Sequence, residues 1–126
     1  MNLNQITIPS LDVVKATEFY KKLGLLLIVD ALPRYVRFEC PDGNSTFSIH
    51  KVSTLPKGDG ITIYFEDDNL DELVKQLQQK GIIFTSEAED KNWLWREAHL
   101  NDLDGNHIIL YKAGKNRTNP PWRINP

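Results

Sequence analysis

The feature that most restricts what this chain can fold into is that it repeats itself. Residues 12–24 read DVVKATEFYKKLG, with apolar residues at Val13, Ala16, Phe19, Tyr20 and Leu23, close to the spacing that lines one face of a helix. Residues 69–81 read NLDELVKQLQQKG and put Leu70, Leu73, Val74 and Leu77 at i, i+3, i+4 and i+7. Each segment opens on a capping residue, Asp12 or Asn69. Each closes twelve residues later on a glycine, Gly24 or Gly81, suited to the left-handed position that ends a helix. Asn69 and Glu72 also have the spacing of a capping box, which predicts a reciprocal pair of side-chain bonds at the start of the second helix. The two copies are offset by 57 residues.

An alternating apolar pattern precedes each helix, over residues 3–8 and 61–66, so that Gln5 corresponds to Thr62. After each helix come a short apolar run (residues 25–29 and 82–85), a longer strand, a turn and a closing strand. The turns match as well: Pro41-Asp42-Gly43-Asn44 and Leu103-Asp104-Gly105-Asn106 both carry the Asp-Gly hairpin signal. Each half therefore reads β-α-β-β-β, and the fold class is α+β. About 55 residues cannot cover both faces of a four-stranded sheet with one helix, so the halves are expected to combine. Residues 52–60, with Pro56, Gly58 and Gly60, form the expected linker. The 126 residues then make one domain, with module 1 at 1–56, module 2 at 57–112 and a tail at 113–126.

Composition narrows the partners. Fifteen Lys plus Arg against seventeen Asp plus Glu leave a net charge of −2, and no segment carries the basic stripe that phosphate neutralisation requires, so nucleic acid is not expected. No apolar run approaches the roughly 18 residues of a membrane span. The opening MNLNQ lacks the basic-then-apolar layout of an export signal. The one cysteine, Cys40, forms no internal disulfide and is expected to be a small buried apolar residue. The expected location is cytoplasmic.

The helix segments, in this order and followed by Asp102-Leu103-Asp104-Gly105-Asn106 before the last strand, resemble the vicinal oxygen chelate superfamily. That superfamily contains glyoxalase, the extradiol dioxygenases, and the bleomycin and fosfomycin resistance proteins. The resemblance spans about residues 3–112, with Leu103 where the family usually has proline. It implies two βαβββ modules that form a curled, cup-like eight-stranded mixed sheet with the helices outside, a ligand inside the cup, and a homodimer. Metal-dependent members hold a divalent ion with His, Gln or Glu at matching points of the first and closing strands. Those positions fall here on Gln5, Thr62, Ile109 and either Ser48 or Phe47. Only Gln5 is a credible donor, so the expectation is no metal and no cofactor.

Strand parity sorts the remaining side chains, because alternate residues face opposite ways and the helix-covered face is the apolar one. The cup side should receive Gln5, Thr7, Tyr35, Arg37, Glu39, Thr46, Ser48 and His50 from the first half. From the second it should receive Thr62, Tyr64, Glu66, Trp95, Glu97, His99, His107, Ile109 and Tyr111. Tyr35, Tyr64, Trp95 and Tyr111 offer rings with polar tips, which suit an organic ligand. Arg37 either meets an anionic ligand group or pairs internally with Glu39 or Glu97. His99 and His107, with Glu97 nearby, supply a proton donor and acceptor if the protein is an enzyme; as plain polar lining they do nothing catalytic. Glu66-Asp67-Asp68 reads as a solvated helix entry, and the exposure of Trp93 is left open. The tail, with three prolines from residue 120 onward, should be extended, with Trp122 packed on its own domain or on a second subunit.

Three functions compete. The leading one is a metal-independent protein that binds a small organic molecule without transforming it. The second is a lyase, isomerase or dioxygenase using a displaced metal or the His/Glu groups. The third is a non-catalytic interaction domain whose cup is filled by another chain.

Overall fold

Gln5–Ser10 forms strand β1, Val13–Leu23 helix α1, Leu26–Ala31 β2, Tyr35–Glu39 β3 and Thr46–Lys51 β4. The order then recurs as Thr62–Glu66 (β5), Leu70–Gln79 (α2), Ser86–Asp90 (β6), Arg96–Asn101 (β7) and His107–Lys112 (β8). This is a computed structural model, and it describes residues 1–125. The chain is α+β, with two βαβββ modules. Each builds an open four-stranded sheet, ordered β1-β4-β3-β2 in the first and β5-β8-β7-β6 in the second. In both, the first strand runs parallel to the last and the other pairs are antiparallel. Two compact units result: residues 1–60 with 102–105, and residues 61–101 with 106 onward.

The duplication extends to single hydrogen bonds. Leu25 N donates to Tyr20 O at 3.1 Å, and Ile82 N donates to Leu77 O at 3.0 Å, the same helix-closing bond 57 residues on. Gly24 (φ 113°) and Gly81 (φ 89°) supply the left-handed residue that lets each chain turn back. The N-termini differ. Asp12 is extended and accepts from Lys15 N at 3.1 Å, as its sequence predicts. Asn69, at φ −103° and ψ 48°, is not extended, and its side chain makes no capping bond, so the expected capping box does not form. Asp67 holds the turn into this helix instead, accepting from Asn69 N at 2.7 Å.

A second correction concerns residues 82–85. That apolar run is not a strand; the strand is Ser-Glu-Ala-Glu-Asp, just after it. As an edge strand, β6 pairs only with β7, through a register shift between Ser86 and Glu89. An edge with open faces does not require apolar alternation. Ile82 is instead a buried residue beyond the helix end, while Ile83 is exposed.

In the first unit α1 lies over β3 and β4, burying Val36, Phe38, Phe47 and Ile49 against Tyr20. The Tyr20 ring sits 4.7 Å from Phe47 and 6.3 Å from Phe38, centroid to centroid. Its hydroxyl donates to Asp102 Oδ2 at 2.5 Å. Asp102 Oδ1 also accepts from Asp104 N, and Asp104 Oδ1 from Leu11 N, each at 2.9 Å. The Asp-Leu-Asp-Gly-Asn segment is thus a structural anchor for α1. In the second unit Ile63, Ala98, Leu100, Ile108 and Leu110 form the apolar face with Leu70, Val74 and Leu77 of α2. Cys40 is only half-buried, just past the end of β3; that burial, with Asp42 and Glu39 nearby, raises its thiol pKa.

The tail departs from the extended form its prolines predict. It opens with a 3₁₀ turn, Gly114–Asn116, because Glu66 Oε2 accepts from Ala113 N at 3.1 Å and Gly114 N at 3.3 Å. Trp122 is 58% exposed and so is not packed into its own unit. No helix among the described residues is long and apolar enough to cross a membrane.

Candidate functional site

Each sheet has one face under its helix and one face free of it, and the free faces carry the expected polar and aromatic side chains. On the first, Gln5 lies beside Thr46, Thr7 beside Ser48, Arg37 beside Ser48, and Tyr35 beside His50. Their side chains form a continuous network. Gln5 Nε2 donates to Ser48 Oγ at 2.9 Å and to Thr7 Oγ1 at 3.2 Å, while Gln5 Oε1 accepts from the Thr46 hydroxyl. Ser48, fully buried, shares a 2.7 Å hydrogen bond with the Tyr35 hydroxyl. Arg37 Nε donates to the same hydroxyl at 3.0 Å. The Ser48 hydrogen bond, and then Arg37, pull the Tyr35 phenol below its usual pKa. Among the described residues of the first unit no carboxylate reaches Arg37, so the internal pairing with Glu39 is not made. His50 sits exposed at the end of this face.

On the second sheet the same positions carry different chemistry. Thr62 lies beside His107, Tyr64 beside Ile109, His99 beside Ile109, and Glu97 beside Tyr111. Trp95 stacks on Tyr111, with ring centroids 4.6 Å apart and planes 17° apart. Tyr64 meets both edge-on, at 5.8 and 5.6 Å. Ile109, Tyr111 and Ala113 form a buried cluster against which Trp95 packs. Burial, then Glu66, push the Tyr111 phenol up.

Beside this aromatic wall runs a line of hydrogen bonds. Thr62 Oγ1 is 3.4 Å from His107 Nδ1, His107 Nε2 is 3.1 Å from His99 Nδ1, and His99 Nε2 is 2.9 Å from Glu97 Oε1. Glu97, with its side chain only 3% exposed, also accepts from Trp93 Nε1 through Oε2 at 2.6 Å. Trp93 is therefore part of the site, although sequence pattern alone left it open. It reaches Glu97 from the β6–β7 loop, in which Leu94 takes a left-handed conformation (φ 69°) and Leu94 N closes a turn onto Lys91 O at 3.0 Å.

Two further contributions were not legible. Asn116 O accepts from Trp95 Nε1 at 3.2 Å, and Arg117 Nε lies 3.7 Å from Glu66 Oε1. Both come from the tail, where no periodicity could have placed them.

The ladder also decides between Ser48 and Phe47. Ser48 lies beside Arg37 and Ile109 beside His99, at matching points of the two sheets. Phe47 is buried under α1 instead. The four matching positions are then Gln5, whose amide is engaged by Thr46 and Ser48; Ser48; Thr62; and Ile109, a buried hydrocarbon. Among the described residues no group of three or more His, Cys, Asp or Glu is arranged to hold a metal ion.

The fold is shared widely. A solved glyoxalase/bleomycin resistance protein/dioxygenase from Nocardioides matches with a TM-score of 0.78 at 20% identity, covering 99% of this chain and 90% of that one. A superfamily member from Sphaerobacter thermophilus matches at 0.72 and 25% identity, over 89% of this chain and 97% of its own. Lactoylglutathione lyase from Agrobacterium tumefaciens matches at 0.71 and 16%, over 88% and 92%. Among curated proteins none matches. The family model described as Glyoxalase/Bleomycin resistance protein/Dioxygenase superfamily matches residues 2–110, and the chain belongs to that superfamily.

Proposed function

We propose that this protein binds a small organic molecule without the superfamily's metal ion, using the free face of the second sheet as an aromatic wall. The observation that carries the reading is the Tyr64–Trp95–Tyr111 cluster around Ile109. Trp95 stacked on the buried Tyr111, with Tyr64 edge-on to both, makes an apolar aromatic surface against which a planar ligand packs. The half-exposed Tyr64 ring is the accessible member of the three. The donor set does not fit a divalent transition ion. A hydrocarbon offers no lone pair, two hydroxyls are poor ligands, and the one amide is already committed.

The test is a titration of the purified protein with a panel of planar aromatic compounds, read by tryptophan fluorescence. A parallel thermal melt adds zinc, nickel, manganese or iron(II). Saturable quenching that Trp95→Ala abolishes, with no metal-dependent rise in melting temperature, supports the reading. A stoichiometric ion that raises the melting temperature, and loses its effect in Gln5→Ala, defeats the metal-free part.

The Thr62–His107–His99–Glu97 line favours a second reading, an enzyme working by acid–base chemistry. Turnover of a bound compound, detected as a new product, would replace the first reading with the second.

A further inference from the structure

The line of hydrogen bonds on the second sheet has a direction. Glu97, as a carboxylate, only accepts, and its two oxygens face Trp93 Nε1 and His99 Nε2. His99 therefore carries its hydrogen on Nε2 and, as a neutral imidazole, presents a bare Nδ1. That nitrogen is 3.1 Å from His107 Nε2, which must donate to it. His107 in turn presents a bare Nδ1, the one basic lone pair at the open end, with the Thr62 hydroxyl 3.4 Å away. Every donor points toward the buried carboxylate. A proton arriving at His107 Nδ1 leaves both inner bonds in place, and its charge is balanced by Glu97 through His99.

Other groups near the line do not break this order. Across from His107 on β7 is Asn101, and across from His99 on β6 is Ser86. Glu89 lies across from Glu97 on β6 and is ion-paired to Lys91. On β5 the neighbours are Thr62 and Tyr64, and His107, Ile109 and Tyr111 follow one another along the same face of β8. Two residues along a strand span about 7 Å, so a ring lying over the half-exposed Tyr64, two residues from the Thr62–His107 pair, has its polar edge within reach of His107.

We propose that this line takes a proton from a bound planar ligand bearing a weakly acidic hydroxyl, a phenol or an enol, with His107 Nδ1 as the acceptor. The ligand O–H bond breaks, its electron pair stays on oxygen, and an N–H bond forms on His107. Nothing is oxidised or reduced. The ligand is held as its anion beside an imidazolium whose counter-charge is Glu97. The proposal rests on the ligand-binding reading for the presence of a ligand, and adds its chemical class and ionisation state.

Two measurements test it. Nitrogen-15 NMR of the ligand-free protein at a pH where both imidazoles are neutral should show His99 and His107 with hydrogen on Nε2; hydrogen on Nδ1 of either overturns the relay. The second uses p-nitrophenol as the probe, at a pH where the free compound is mostly neutral, with its methyl ether p-nitroanisole as the control. Tryptophan quenching reports binding, and the phenolate absorption band reports ionisation. Binding should raise the phenolate-to-phenol ratio about tenfold, equivalent to one pKa unit, and Glu97→Gln should remove the rise while quenching persists. If p-nitrophenol quenches but stays neutral, the relay is wrong and the binding reading stands. If neither compound quenches, the assigned ligand class falls, and the wider aromatic panel decides the binding reading. Should Glu97→Gln fail to fold, His107→Gln on the exposed side of the line serves in its place, with the same expected loss.

Discussion

Replacing Tyr20 with phenylalanine tests the buried join between α1 and residues 102–105, and pH separates its two contributions. Tyr20 is fully buried and its hydroxyl donates to Asp102 Oδ2 at 2.5 Å. Near neutral pH the substitution removes one hydrogen bond to a charged group, which costs about 1.5–3 kcal/mol. Burial first, and Asp102 next, push the Tyr20 phenol far above its ordinary value of 10.0. Below that ordinary value both states hold the proton, so stability is constant. Above it, the unfolded chain has released the proton and the folded chain has not, so each further pH unit removes about 1.4 kcal/mol from the wild type. Phenylalanine has no such proton. Urea denaturation of both proteins from about pH 8 to about pH 11 should therefore show the gap narrowing by about 1.4 kcal/mol over the whole range, with about 1 kcal/mol of it in the last unit. Other alkaline titrations, including those of Tyr111 and Cys40, occur in both proteins and cancel in the difference. Parallel curves across the whole range would refute the buried tyrosine–aspartate pair as described.

Two smaller perturbations probe the frame of the site. Leu94→Gly relieves a left-handed leucine in the loop that carries Trp93, and should raise stability by about 0.5–1 kcal/mol after the glycine entropy cost, read by thermal melting. A loss of stability would mean that the half-exposed leucine side chain outweighs its backbone strain. Glu66→Ala removes the acceptor of Ala113 N and Gly114 N and the partner of Arg117. Trypsin cleavage after Lys115 and Arg117 should then speed up on the order of tenfold, in proportion to about 1.4 kcal/mol of lost anchoring. An unchanged cleavage rate would show that the tail is held by other contacts.

How much was legible follows from how each feature is encoded. Helices announce themselves over a dozen residues, so Asp12, Gly24 and Gly81 fell where their periodicity put them. A cap depends on one residue's backbone angles, which sequence does not specify; Asn69 had the right chemistry in the wrong conformation. Central strands must bury one face, so Val36, Phe38, Ile108 and Leu110 declared their orientation. The edge strand β6 has no such obligation, and its Ser-Glu-Ala-Glu-Asp gave no signal while the apolar run before it gave a false one. Parity identified Tyr64, Trp95, Glu97, His99 and Tyr111 as candidates for one face. It could not show that Glu97 is sealed by Trp93, or that Glu66 is spent on the tail, because both bonds join a strand to a loop.

The two sheets show what duplication holds fixed and what it releases. Backbone features recur: the helix-closing bond, the parallel first-to-last pairing, and a hairpin that differs by a single residue between the copies. These are the terms a β-α-β-β-β unit needs to bury its helix, and changing any of them costs core contacts. The free face carries no such constraint. Across the matching positions Thr7 gives way to Tyr64, Arg37 to His99, Ser48 to Ile109 and His50 to Tyr111. One face has become a hydroxyl, amide and guanidinium network, the other an aromatic wall beside a directed line of imidazoles. Because both share the same backbone register, the difference in their chemistry cannot come from the fold and must be read from the side chains. Exchanging Ile109 for histidine or glutamate is accordingly the single change with most power to place a metal donor on this face. It would do so at the cost of burying a polar group in the Ile109–Tyr111–Ala113 cluster, where Trp95 packs.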